Sequence, residues 1–184
     1  MVKNDGLLER VAELAAAQEF ESCGSVGADK LVVNPEVRIM CASDRCNAYG
    51  HNWMCPPHCG ELDEFQHLIE SKNSCYIVQT VAELEDEFDF EGMVDAERLH
   101  KKRFNALARA IKADVELKDA LLLAAGTCTL CPKCNCPDEP CRNPDHAMVS
   151  MEAAGLLVSE VCTSAQVPYN HGKGTIAYTS CIVI

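Results

Sequence analysis

Nine of the thirteen cysteines in this 184-residue chain fall in two short runs, Cys41, Cys46, Cys55 and Cys59, then Cys128, Cys131, Cys134, Cys136 and Cys141. Thiols crowded in this way either cross-link the chain or bind metal. Three observations count against a disulfide scaffold. The stretch Leu7 to Ala17 is broken by Glu9, Arg10 and Glu13, so it lacks the apolar core of a secretory signal. An odd number of cysteines leaves one thiol without a partner. A chain of this length buries roughly 70% of its unfolded surface and needs no covalent staples. The expected setting is a reducing, cytoplasmic one, with the cysteines kept as thiolates for metal.

The length suits one domain over residues 1–184, and the 48% hydrophobic content is that of a globular protein. No segment approaches the ~20 apolar residues of a membrane span. A formal net charge of −12 argues against nucleic acid, which needs clustered Lys and Arg. The acidity serves solubility first. It also suits a basic redox partner protein or enzyme complex, and a homodimer sharing a cluster is compatible with the sequence.

Apolar spacing gives a coarse layout. Leu7, Val11, Leu14 and Ala15 mark an amphipathic helix over 5–19, which Gly24 and Gly27 end. Leu31 to Val33 and Val37 to Met40 read as short β segments delivering the chain to Cys41. Residues 61–71 form a helix with Leu62, Phe65, Leu68 and Ile69 on one face, and Cys75 to Val81 a buried strand. The acidic segment 83–91, with Phe88 and Phe90, is a solvated connection. A long helix follows over 94–113, then a strand within 120–125 that feeds the second cysteine loop, and a closing strand over 174–184. The expected class is α/β, one domain with a small mixed sheet, packed helices and two metal-binding loops.

The second loop, Cys128-x2-Cys131-x2-Cys134-x-Cys136-Pro-x3-Cys141, carries the most specific signal. Two-residue gaps let successive thiolates turn inward on one compact object, and a multi-iron cubane accepts three such neighbours on three corners. A single zinc more often takes cysteines as separated pairs. Bacterial ferredoxins use C-x2-C-x2-C-x3-C-P, from which this chain departs at the fourth position. Cys141 is the expected fourth ligand, because a one-residue gap gives Cys136 little freedom to reach another corner. The first run, Cys41-x4-Cys46-x8-Cys55-x3-Cys59, is looser, yet four cysteines within nineteen residues of a loop rich in Asn, Gly, His and Pro also point to metal. His51 and His58 are polar loop residues near the ligands, and Trp53 and Met54 are expected to shield this site from water.

The pattern Arg38-x2-Cys41-x4-Cys46-x2-Tyr49-Gly50-x2-Trp53-x-Cys55-Pro56-Pro57, followed by Gly126-x-Cys128-x2-Cys131-x2-Cys134-x6-Cys141, resembles the family catalogued as domain of unknown function 2284. Its members are described as predicted metal-binding proteins, mostly from anaerobic microbes. The resemblance implies iron–sulfur or other metal binding at Cys41, Cys46, Cys55, Cys128, Cys131, Cys134 and Cys141, and assigns no reaction. Cys59 and Cys136 fall outside the pattern. Without Cys59 one iron of a first cluster would lack a protein thiolate, so Cys59, across the Pro56-Pro57 turn, is expected to close that site.

Other signals carry less. Leu62 stands where a radical S-adenosylmethionine motif would need its third cysteine. Cys131-Pro-Lys-Cys134 imitates a dithiol redox motif but is embedded among ligands, and the prenylation-like tail at Cys181 lies in the closing strand. Cys23, Cys75, Cys162 and Cys181 are expected in the core, and Tyr169 and His171 in a surface turn. No phosphate loop, dinucleotide fingerprint or nucleophile elbow is present. The expected function is one-electron transfer through two [4Fe–4S] clusters. The alternatives are a redox enzyme or reductive activator with an open iron, and a zinc-stabilised interaction module.

Overall fold

The computed structural model describes residues 2–184. Its centre is a four-stranded sheet in the order β1-β2-β4-β3, built from Ser22–Gly27, Ser74–Glu83, Thr175–Val183 and Leu121–Leu123 for β1, β2, β4 and β3. All three ladders are antiparallel, and Ala124 adds one isolated parallel bridge to Ser150. The central pair registers Ile77 against Cys181 and Cys75 against Val183. Side chains alternate along a strand, so β2 sends Cys75 and Ile77 to one core and Val78 to the other.

Helices cover both faces. On one, α1 (Val2–Ala16) and α4 (Phe90–Ala113) bury Val11, Ala15, Phe104, Leu107 and Ile111 against Val78 and Ile182. On the other, α3 (Leu62–Glu70) and α5 (Val158–Ser164) pack Phe65, Ile69 and Val161 against Ile77, Met151 and Leu156. Each core is the burial of one apolar helical stripe against one sheet face. The single α/β domain expected from the sequence is present.

Four local outcomes differ from the sequence expectations. Residues 37–40 are helical, within α2 (Pro35–Cys41), because Asn34 accepts from Glu36 N at 2.9 Å as N-cap and Pro35 occupies the first turn, where its missing N–H costs nothing. Leu31 to Val33 contributes only an isolated bridge, Val33 to Leu156. The glycine-containing stretch at 22–27 is strand β1, and Gly24 is needed there because a Cβ would stand 2.4 Å from Val167 Cγ2. α4 also begins earlier than expected, at Phe90, since Asp89 caps it by accepting from Gly92 N at 2.8 Å.

Cys75, Cys162 and Cys181 are buried, as expected, whereas Cys23 is exposed on β1, at the sheet edge, and is not core. Tyr169 is exposed, and His171 Nε2 hydrogen-bonds Gln79 Oε1 at 3.0 Å. All thirteen cysteines are free thiols. No helix among the described residues is long and apolar enough to cross a membrane.

Candidate metal centre

The first cysteine loop starts where α2 ends, at Cys41, and its turns are pinned by side chains. Asp44, at φ 49°, accepts from the N–H groups of Ala48 and Tyr49 at 2.8 and 2.9 Å. Asn52 accepts from Met54 N at 3.0 Å. These local bonds replace a helix or strand as the loop's scaffold. The second loop leaves the sheet after β3, turning at Gly126, whose φ of 62° favours glycine.

The two loops meet. Asn52 Nδ2 donates to Cys128 O at 3.0 Å, Trp53 Nε1 donates to Glu139 O at 2.9 Å, and Cys136 Sγ lies 3.8 Å from Gly50 O. Cys136 is buried in this seam, which accounts for a cysteine outside the ligand pattern.

Two cavities open beside the seam. Cys41, Cys46 and Cys55 line one of about 240 Å³, together with Glu152, Gly126 and Thr127. Cys128, Cys131, Cys134 and Cys141 all line the other, a narrower space of about 20 Å³. Thus seven of the eight expected ligands sort into two sets by the cavity they face. The eighth, Cys59, is 8% exposed and absent from the wall of the first cavity. Among the described residues, no three His, Cys, Asp or Glu side chains converge as ligands of one metal ion.

Trp53 and Met54 line the second cavity, so they cover the second set rather than the first. His51 and His58 line neither; His58 is exposed and packs edge-on against Trp53, with centroids 5.3 Å apart.

The thiols also act on one another, with Cys59 close to the first set although outside its cavity wall, and Cys128 close enough to act across the seam. The Cys55 thiol is pushed up to about 12, first by burial and then by Cys59, Cys41, Cys46 and Cys128. Cys41 and Cys128 are raised, again by burial first, and the latter also by Cys141, Cys134 and Cys131. A bound cation reverses this balance, because it favours the thiolate that burial and like-charged neighbours oppose.

Three contributors carried no assigned role in the sequence. Asn143 donates through Nδ2 to Cys131 Sγ at 3.2 Å and through its backbone N–H to Cys141 Sγ at 3.4 Å. Its only sequence signal is its place two residues beyond the last ligand. Arg38, present in the family pattern, points Nη2 at Cys59 Sγ from 3.7 Å. Glu152, far along the chain, adds a carboxylate to the wall of the first cavity.

A two-faced α/β scaffold with two abutting thiol-lined cavities is that of a cysteine-rich metal-binding domain. The chain belongs to the family described as predicted metal-binding protein (DUF2284), which matches residues 25–184. It matches no curated protein and no solved structure.

Proposed function

We propose that this protein carries two iron–sulfur clusters of the [4Fe–4S] type, one on each cysteine set, and passes single electrons to or from a partner redox enzyme system. The observation that carries this reading is the arrangement of Cys128, Cys131, Cys134 and Cys141 around one cavity, abutting a second thiol set across the Asn52–Cys128 hydrogen bond. The donor chemistry suits the group. Thiolates are the ligands that iron–sulfur clusters take, and Asn143 supplies the N–H···S bonds that tune them.

A cluster on these residues would supply reversible one-electron chemistry. The chain's own contributions are to hold the thiolates, to cover the second set with Trp53 and Met54, and to keep the two sets adjacent. Adjacency matters because it gives an electron a short path between sites within one small domain. The acidic surface would favour a basic partner. A cytoplasmic, reducing setting follows from the need to keep the thiols unoxidised.

The test is spectroscopic. Protein purified without oxygen should be brown, bleach with dithionite, and give an EPR signal broadened by coupling between two reduced clusters. A colourless protein would overturn the proposal. The narrowness of the second cavity favours one further reading, a single zinc ion holding the loop as a structural module. Zinc would leave the protein colourless.

A further inference from the structure

We propose that the first cysteine set is an open site. Cys41, Cys46 and Cys55 are its three protein ligands, Arg38 holds Cys59 out of the ligand set, and the fourth position accepts a small exogenous molecule with one sulfur or oxygen donor on an apolar body. This rests on the two-cluster reading above and deepens it.

The two sets differ in completeness. All four cysteines of the second set face one space, whereas the wall of the first cavity holds three and omits Cys59. Cys59 is not free to swing. Arg38 is fixed by Nε and Nη2 on Ala153 O at 2.8 and 2.6 Å and by Nη1 on Gly60 O at 2.7 Å. Its guanidinium lies over Phe65, 5.7 Å from the ring centroid. From that anchored position Nη2 reaches Cys59 Sγ at 3.7 Å. Turning the sulfur into the cavity would give up this contact to a half-buried cation that its bonds to Ala153 O and Gly60 O hold in place.

The space left over has a chemical character. Its wall is largely carbon, from Val37, Met40, Ala48, Tyr49 and Ala153, which suits an apolar body. Two carboxylates stand among these carbons. That of Asp44 is already spent on Ala48 N and Tyr49 N. Glu152, close enough to Cys41 to oppose its ionisation, is left to face the ligand. Arg38 and Cys59 are therefore positioning residues that keep the fourth position vacant of protein sulfur.

The experiment uses intact protein purified without oxygen. Mild ferricyanide oxidation takes one electron from an open four-iron cluster and releases its unligated iron as Fe(II). One of the two clusters should therefore yield a three-iron EPR signal, and Fe(II) with dithionite should restore it. Cys59→Ala should keep the wild-type iron content, whereas Cys55→Ala should lose about four irons. Ethanethiol should shift the EPR signal of one reduced cluster in the wild type. The inference is overturned, with the two-cluster reading intact, if iron is full but ferricyanide gives no three-iron signal, ethanethiol shifts nothing, or Cys59→Ala loses about four irons. If Cys59→Ala fails to fold, the ferricyanide and ethanethiol results on wild type decide. Wild-type protein without iron or sulfide would overturn the two-cluster reading, and this inference with it.

Discussion

Asn52 Nδ2 donates to the backbone oxygen of Cys128 at 3.0 Å, joining residues 76 positions apart and bringing the two cysteine loops into one centre. Asn52 is buried, and its Oδ1 is engaged by Met54 N, so both ends of one amide are committed. Asn52→Ala leaves the half-buried Cys128 O without this donor, at a cost of about 1 kcal/mol, the low end for an acceptor left unpaired. It should lower the thermal midpoint and weaken the magnetic coupling between the clusters while leaving the iron content near wild type. An unchanged EPR line shape would show that the seam does not set the spacing.

Asn143 offers a test confined to the second set. Asn143→Ala removes the side-chain bond to Cys131 Sγ but keeps the backbone bond to Cys141 Sγ. An N–H···S bond stabilises the more negative, reduced cluster, so its loss should make the second potential more negative. Each tenfold loss in that stabilisation corresponds to about 59 mV for one electron. Redox titration of both clusters should show one potential displaced and the other unmoved.

Trp53 is the chain's one tryptophan and lines the second cavity. Filling that site should quench its fluorescence, and Cys131→Ala should abolish the quenching. Cys46→Ala, in the first set, should leave most of it. Equal quenching in both variants would contradict the assignment of Trp53 to the second set.

His100 sets an acid limit on the fold. It is fully buried between Thr80 Oγ1 at 3.1 Å and Ser180 Oγ at 2.8 Å, and burial, with Arg103 and Lys101 nearby, lowers its pKa from 6.5 to about 3. The unfolded chain therefore binds the proton more readily than the folded one. The stability this group contributes is present above pH 6.5 and is lost as pH falls towards 3, by about 1.4 kcal/mol per unit. Chemical denaturation of wild type and His100→Gln across that range should show their difference shrinking with acidity. A constant difference would mean that His100 does not titrate on unfolding.

Cys55 sets the opposite limit for metal-free protein. Its folded pKa of about 12 lies above the ordinary 9.0, so the stability it contributes is held below pH 9 and is lost as pH rises towards 12. Apo-protein should weaken across that interval, and Cys55→Ser should weaken less. Metal uptake should release protons, measurable in weakly buffered solution.

How much of this was legible in the sequence follows from what each signal encodes. The long periodic segments, α4 and β4, are legible because a repeated apolar stripe reports its own partner surface, although that stripe does not mark the start of α4 at Phe90, which the Asp89 cap sets. The short ones misled: Val37 to Met40 has too few residues to fix a period, and the Asn34-Pro35 cap decided for helix. β1 was hidden because Gly24, ordinarily a breaker, is there to let Val167 approach. The cysteine spacing pointed to two groups of thiols, and the cavities hold Cys41, Cys46 and Cys55 in one wall and Cys128, Cys131, Cys134 and Cys141 in another, with Cys59 outside the first. It could not reveal that Trp53 covers the second set, that Asn143 bonds to two sulfurs, or that Arg38 holds Cys59, because each relationship joins segments that only the fold brings together.

The most direct test of two iron–sulfur clusters is metal and acid-labile sulfide analysis on protein purified strictly without oxygen. The account predicts about eight irons and about eight sulfides per chain, four of each for every cubane. One or two zincs with no sulfide would contradict it and leave a structural metal module in its place.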